Sequence, residues 1–300
     1  MPMPSVLVAG GVNMDTTYKV DSLPKPGETV NTIGKSQAIG GKGLNQALAA
    51  RRAGSDVGIV GSVGDDTEGR VIREFLESEG ISCDSLSLLP DTDTGRAIIL
   101  VDDDAENLII VDLGANLETD ADIVEQLGDD WRGVRAVVAN GETPANVVEA
   151  LFEGARTRSV KTVWNPSPMP KDIATPLGLT DLLIVNHTEA AYLAGRDATP
   201  VELGQALVRM GPVEVVVTLG KEGSQICNRQ ESIKIPALEV DAVDPTAAGD
   251  TFLGYYVSSR LEGADSSDAA LTASAAAALC VQCMGASDAI PTRDLVGRDE

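Results

Sequence analysis

Histidine occurs once in the 300 residues, at position 187, and cysteine four times. A lone imidazole rules out a Ser-His-Asp or Cys-His engine unless His187 itself serves, and in its context it reads as a helix-entry residue. Four cysteines do not make a disulfide framework, and Cys83 and Cys227 are isolated. Cys280 and Cys283 have Cys-x-x-Cys spacing but no second pair, and as part of an expected buried helix they read as small core residues rather than a metal or redox site. Basic residues are also scarce. Lysine and arginine total 23 against 46 acidic residues, a formal charge of −23, which argues against binding nucleic acid or an anionic membrane through bulk electrostatics. With eight lysines to fifteen arginines, the balance suggests a high-salt cytoplasm, as in a halophilic archaeon, where screening makes self-repulsion tolerable; the alternative is an acidic protein of an ordinary cell. Long apolar runs are missing too. Residues 269–284 are too short and too weakly hydrophobic to span a membrane, and Met1-Pro2-Met3-Pro4 has none of the charge and apolar length of a signal peptide, so a cytoplasmic location is expected.

Neither common nucleotide motif is present. Gly40-Gly41-Lys42-Gly43-Leu44-Asn45-Gln46 lacks P-loop spacing, and Gln46 stands where a dinucleotide fingerprint needs glycine. This segment nevertheless places glycine, lysine and a side-chain amide at the entrance of a helix-favouring stretch, although a glycine-rich turn with a solvated lysine would look the same. A second loop, Asp244-Pro245-Thr246-Ala247-Ala248-Gly249-Asp250-Thr251-Phe252, sets one carboxylate among small residues at an expected helix start. Small side chains let backbone N–H groups approach a ligand, and the helix N-terminus favours a phosphate. A carboxylate fixed beside an anion site needs a task, and Asp250 could take the proton of an attacking hydroxyl. An ordinary cap, with Thr246 or Asp250 bonding free N–H groups, is the alternative.

Short apolar strands alternate with amphipathic helices, the pattern of a mainly parallel sheet covered on both faces. Strands are expected at 6–9, 57–60, 136–139, 162–164, 182–185 and 215–218. One helix face should carry Leu44, Ala47 and Leu48, and others Val71, Ile72, Phe75 and Leu76, and Val147, Val148, Leu151 and Phe152. Residues 13–36 and 95–111 break the pattern with period-two alternation, and predict a small antiparallel sheet built from two insertions. The expected division is a discontinuous α/β domain of residues 1–12, 37–94 and 112–300, with a β-sheet lid of 13–36 and 95–111.

Further segments extend these signals in order along the chain: Gly11 to Asp15, Leu23 to Thr29, Gly61 to Asp66, Gly114-Ala115-Asn116, Asn165-Pro166-Ser167-Pro168, Asn186-His187-Thr188-Glu189 and Thr218 to Gly223. Together with the two glycine-containing loops they resemble the ribokinase-like sugar kinases, the phosphofructokinase B family, over nearly the whole chain. The resemblance implies a three-layer α/β/α fold with a sheet lid, and transfer of the γ-phosphoryl group of ATP to a sugar hydroxyl. Asp250 would be the base, and Ala247, Ala248 and Gly249 the anion hole. Asn13, Asp15, Gly41, Lys42, Asn45 and Glu142 match sugar-contacting positions, an acceptor-rich set suited to a polyol; a turn after the first strand is the alternative for Asn13 and Asp15. Asn186, Thr218, Gly220 and Gly223 match nucleotide-contacting positions, with a plain hairpin as the alternative for 218–223. Glu189 would act on Mg²⁺ through water.

A K⁺ site through Asp244 and Thr246 is also implied, although alanine at 289 stands where the family has serine; Ser287 could replace it. The resemblance implies a homodimer formed through the lid. The segments 25–29 and 40–46 favour a free pentose, D-ribose, as acceptor. Arg96 departs from the family's small apolar residue on the lid strand. Pointing into the cleft it could clamp the phosphate of a ribose 1-phosphate or fructose 6-phosphate; pointing outward it would be solvated. Nucleoside, fructose and 2-keto-3-deoxygluconate kinases share the implied fold, and a sugar- or nucleotide-sensing protein would retain the fold without needing Asp250.

Overall fold

A computed structural model of the chain describes residues 3–102, 106–170 and 174–297. In chain order the strands are β1 (Val6–Ala9), β2 (Asn13–Val20), β3 (Thr32–Gly40), β4 (Val57–Gly64), β5 (Ser82–Leu89), β6 (Gly95–Val101), β7 (Asn107–Asp112), β8 (Ala136–Asn140), β9 (Lys161–Asn165), β10 (Leu182–Asn186), β11 (Glu214–Thr218), β12 (Ser224–Asn228) and β13 (Ser232–Ile235). The longer helices are α1 (Lys42–Arg52), α2 (Thr67–Ser78), α3 (Ala145–Thr157), α4 (His187–Ala194), α5 (Pro200–Met210), α6 (Ala248–Glu262) and α7 (Ser266–Cys280).

Nine strands form the main sheet in the order β13-β12-β11-β10-β9-β8-β1-β4-β5, parallel except for the β11–β12 and β12–β13 pairs. β1 shows why both faces are covered. Its Val6 and Val8 enter one core cluster with residues of α1, α2, α6 and α7, while Leu7 and Ala9 enter a second with residues of α3, α4 and α5. Alternation along a strand buried on both sides thus needs no polar position. All six strands expected in the large domain are present. On α2, Ile72 and Leu76 are buried whereas Val71 is exposed, so the apolar face is narrower than its sequence pattern. Among the described residues no helix is long and apolar enough to cross a membrane.

A separate four-stranded sheet has the order β3-β2-β6-β7. It is mixed rather than antiparallel, because the two insertions meet through the parallel pair β2–β6. Both strands leave the large domain in the same direction, after β1 and after β5, and each then returns along its own antiparallel partner. β3 continues to Gly40 and delivers the chain directly to α1.

Candidate active site

Two helix starts are brought together by small residues. On α6, a Cβ added at Gly254 would lie 2.5 Å from both the Ala49 Cβ and the Ala50 N of α1, so the helices touch nearly backbone to backbone. One turn closer to both N-termini, Gln46 and Asp250 face each other, and Gln46 Nε2 donates to Asp250 Oδ1 at 2.9 Å. The α1 entrance is equally tight: Gly41 has φ 95°, and a Cβ at Gly43 would lie 2.4 Å from the Gly10 carbonyl carbon.

Side-chain amides at the carboxyl ends of parallel strands complete this floor, the edge where open α/β sheets bind ligands. Asn140 Nδ2 donates to Gln46 Oε1 at 3.2 Å, and Gln46 Nε2 also donates to Asn165 Oδ1 at 3.0 Å. Asn140 and Asn165 are register partners at the ends of β8 and β9. Lys42 Nζ stands 3.8 Å from Asp250 Oδ1, and its pKa is raised, chiefly by the Asp250 carboxylate. Asp250 itself is buried.

Beside Asp250 a group of carboxylates and amides, the recess, gathers around the start of α1. Glu142 Oε2 accepts from Lys42 N at 2.9 Å; burial raises the Glu142 pKa to about 7 against the opposing Lys42 interactions. A Cβ at Gly11 would collide with this carboxylate. Burial likewise raises Asp15 to about 6. Asn13 Oδ1 accepts from Asn116 Nδ2 at 2.8 Å, and Asn116 Oδ1 accepts from Val12 N at 2.9 Å. Buried Asp15 Oδ1 and Asn45 Oδ1 have no hydrogen-bond partner. Unpaired buried acceptors are costly, and hydroxyl donors of a polyol would satisfy them.

Arg96 is not brought to this group. In β6 it pairs with Met14, whereas the next residue, Ala97, pairs with Asp15; alternation therefore sends the guanidinium to the opposite face of the lid. There Arg96 Nε donates to Glu68 Oε2 at 2.5 Å and Nη1 to Asp93 Oδ2 at 3.4 Å. The phosphate clamp expected of an inward-pointing Arg96 is therefore corrected. Conversely, Gln46, Asn116, Asn140 and Asn165 join the floor although sequence reasoning gave them no role. Asn116 and Asn165 stood inside motifs, and the remaining signal was a polar residue ending an apolar strand.

On the other side of Asp250 is a cleft of about 840 Å³ whose lining includes Thr218, Gly220, Gly223, Pro245, Gly249 and Phe252. Ala247, before α6, takes the left-handed conformation at φ 61°, with no side-chain cap on the helix, so the helix start keeps N–H groups for a ligand. Ala248 also lines the cleft, and a Cβ at Gly249 would meet nothing within 4 Å. Residues 218–223 do form a tight strand-turn-strand connection, through a short 3₁₀ turn at Gly220–Glu222, and the same turn lines the cleft. Asn186 and Glu189 cap α4 reciprocally: Glu189 N donates to Asn186 Oδ1 at 2.8 Å and Asn186 N to Glu189 Oε2 at 2.9 Å. Glu189 still lies close enough to contribute to the raised Lys42 pKa.

Asp244 fastens the loop before α6. Its Oδ1 accepts from Thr246 N at 2.9 Å and Oγ1 at 2.6 Å, and its Oδ2 from Gly285 N at 3.0 Å. Ser287 Oγ donates to Ile39 O at 2.8 Å, and Ala289 is buried. Cys280 is buried, while Cys283 lies beyond the end of α7 and is exposed. Among the described residues no group of three or more His, Cys, Asp or Glu is placed to hold a metal ion.

A polyol-suited recess and a phosphate-suited cleft meeting at one buried carboxylate agree with a match to the pfkB family carbohydrate kinases over residues 3–293. The chain belongs to that family. It is a phosphotransferase of the ribokinase type. A ribokinase of Haemophilus influenzae is 33% identical over 293 residues, covering 96% of both chains. The structure of Arabidopsis thaliana ribokinase complexed with ribose and ATP superposes with a TM-score of 0.89 at 28% identity, covering 98% of this chain and 97% of that one. The kinase also matches a bifunctional ribokinase/ribose-5-phosphate isomerase A of Fructilactobacillus sanfranciscensis at 33% identity over 302 residues, of which it spans 56% of the length.

Proposed function

We propose that the chain is an ATP-dependent ribokinase that transfers the γ-phosphoryl group to the 5-hydroxyl of D-ribose. The observation that carries this is the position of Asp250, held by Gln46 and Lys42 between the recess with unpaired acceptors and the cleft at the start of α6. Asp250 takes the proton of the attacking hydroxyl. Asn13, Asp15, Asn45 and Glu142 hold the remaining hydroxyls with Gly41 and Lys42, and the backbone of Ala247, Ala248 and Gly249 receives the transferring group. Thr218, Gly220 and Gly223 provide a flat wall for the nucleotide, beside Asn186. Mg²⁺ bound with the phosphates would supply charge neutralisation, and Glu189, in the first turn of α4, would meet its water shell rather than form part of a cage of protein ligands.

The small sheet, built on the two insertions expected at 13–36 and 95–111, of which residues 103–105 lie outside the described residues, is the lid of this site and excludes water that would compete for the phosphoryl group. Its β7 edge exposes Leu108, Ile109, Ile110 and Val111, an apolar strand suited to pairing two copies of the chain into a homodimer. Asp244 is engaged by Thr246 and Gly285, and no step is assigned to potassium. The phosphosugar alternative loses its support with Arg96 on the outer face of the lid.

Turnover with ATP and Mg²⁺ against a panel of pentoses, hexoses, phosphosugars and nucleosides in high KCl tests the proposal, with D-ribose expected to be phosphorylated best. A panel in which D-ribose binds but no compound is phosphorylated would leave a sensor; preferred turnover of a phosphosugar would reject the acceptor.

A further inference from the structure

The outer face of the lid and the body are separated by a cavity of about 670 Å³, lined by Met14, Gln37 and Ile39 from the lid and by Val71 and Phe75 from α2. Arg96 is the one cation in its lining, opposite Asp66, Glu68 and Asp288. Two ties cross the hinge beside this cavity. The first is a partly buried set of three hydrogen bonds: Asp66 Oδ2 accepts from Thr94 N at 2.8 Å, and Asp66 Oδ1 accepts from Thr94 Oγ1 and Gly69 N, both at 2.7 Å. It fixes the chain just before β6 to the start of α2. The second is Arg96, whose guanidinium reaches Glu68 at 2.5 Å, Asp93 at 3.4 Å and Asp66 at 3.9 Å. Its side chain is 38% exposed and that of Glu68 27%, so this tie is within reach of water and can break.

The direction of the second tie follows from the register. Ala97 shares a face with Asp15, the face turned to the proposed sugar recess, while Arg96 leaves β6 on the other face. Attraction between Arg96 and Glu68 therefore draws the lid strand toward α2 and away from the sugar. We propose that Arg96 is a positioning residue, a latch from the lid to Glu68 that favours the open lid and so limits sugar affinity. The latch requires no contact between Arg96 and either substrate. A partly exposed ion pair contributes about 0.4–1 kcal/mol, enough to shift the lid population and with it the apparent affinity by about 2- to 5-fold.

The affinity prediction rests on D-ribose being the acceptor; the lid position does not. In a Cys283→Ser background, spin labels at Ile33→Cys on the lid and Glu74→Cys on α2 report their separation without turnover. Arg96→Ala should lengthen that distance, and Glu68→Ala should do the same without adding to it. The charge exchange Arg96→Glu with Glu68→Arg should restore it. Calorimetry with D-ribose should give a dissociation constant about 2- to 5-fold lower in Arg96→Ala. Unchanged label distances, or ribose bound equally or more weakly than by the parent, overturn the latch. If the parent protein binds no ribose, the acceptor proposal fails, and the label distances alone decide the latch.

Discussion

The two sides of Asp250 are built from different materials. The recess uses long-range side chains: Asp15 and Asn13 from the lid, Lys42 and Asn45 from α1 and Glu142 after β8. The cleft uses backbone and small residues, with Ala247 in the left-handed region, Gly249 open to space and a glycine-flanked turn after β11. The difference follows from the chemistry expected of each ligand. A neutral polyol offers many weak donors and acceptors that must be matched individually, whereas a phosphate is held by any dense set of N–H groups at a helix start. The first can change one side chain at a time; the second tolerates almost no added atoms.

Substitutions on each side should therefore fail in different ways. The largest effect is expected at the junction. Asp250→Asn should lower kcat by about 10²- to 10⁴-fold while D-ribose and ATP still bind in calorimetry; retention of full turnover would show that another group is the base. On the cleft side, Gly249→Ala should leave the fold unchanged, because its Cβ meets no atom within 4 Å, yet crowd the proposed phosphate position and reduce kcat/KM for ATP on the order of 10²-fold with ribose binding intact. An equal loss of ribose binding would erase the distinction between the two sides.

On the recess side the signature is pH. Asp15 and Glu142 have raised pKa values, about 6 and about 7, and as carboxylates they accept from sugar hydroxyls best when ionised. The KM for D-ribose should fall by up to about tenfold as pH rises from about 5.5 to 7.5, and Glu142→Gln should flatten most of that change while leaving the KM for ATP alone. The sign for stability is opposite. A carboxyl whose folded pKa exceeds its unfolded value stabilises the ligand-free fold below the unfolded pKa, and that contribution is lost as pH rises through the folded one. The melting temperature of the free protein should thus decline from about pH 4.5 toward pH 7, and less so in Glu142→Gln. The smallest effect is expected farthest from the chemistry. Ile110→Lys at the exposed β7 edge should convert a dimer to a monomer in sedimentation while changing the ribose KM about 2- to 5-fold.

The cleft was more legible in the sequence than the recess. Small residues before a helix suggest a phosphate site from one local segment, and Ala247, Ala248 and Gly249 stand together in the chain beside the cleft. The recess is assembled from positions far apart in the chain, and its connecting amide, Gln46, looked only like a failed dinucleotide motif until α1 met α6. The parallel join between β2 and β6 was hidden for the same reason, since alternation identifies a strand but not its partner. Arg96 shows the limit most clearly: period-two alternation fixed that it and Ala97 face opposite ways, and only the register with Asp15 decided which face was which. β5, rich in serine at the edge of the main sheet, carried too weak a strand pattern to be recognised.

The contact of Gly254 with Ala49 and Ala50 sets the gauge between the two helix starts that meet at Asp250. That approach fixes how far the start of α1, with Lys42 and Gln46, stands from the start of α6, with Asp250. One methyl group at Gly254 would alter that gauge for every acceptor at once.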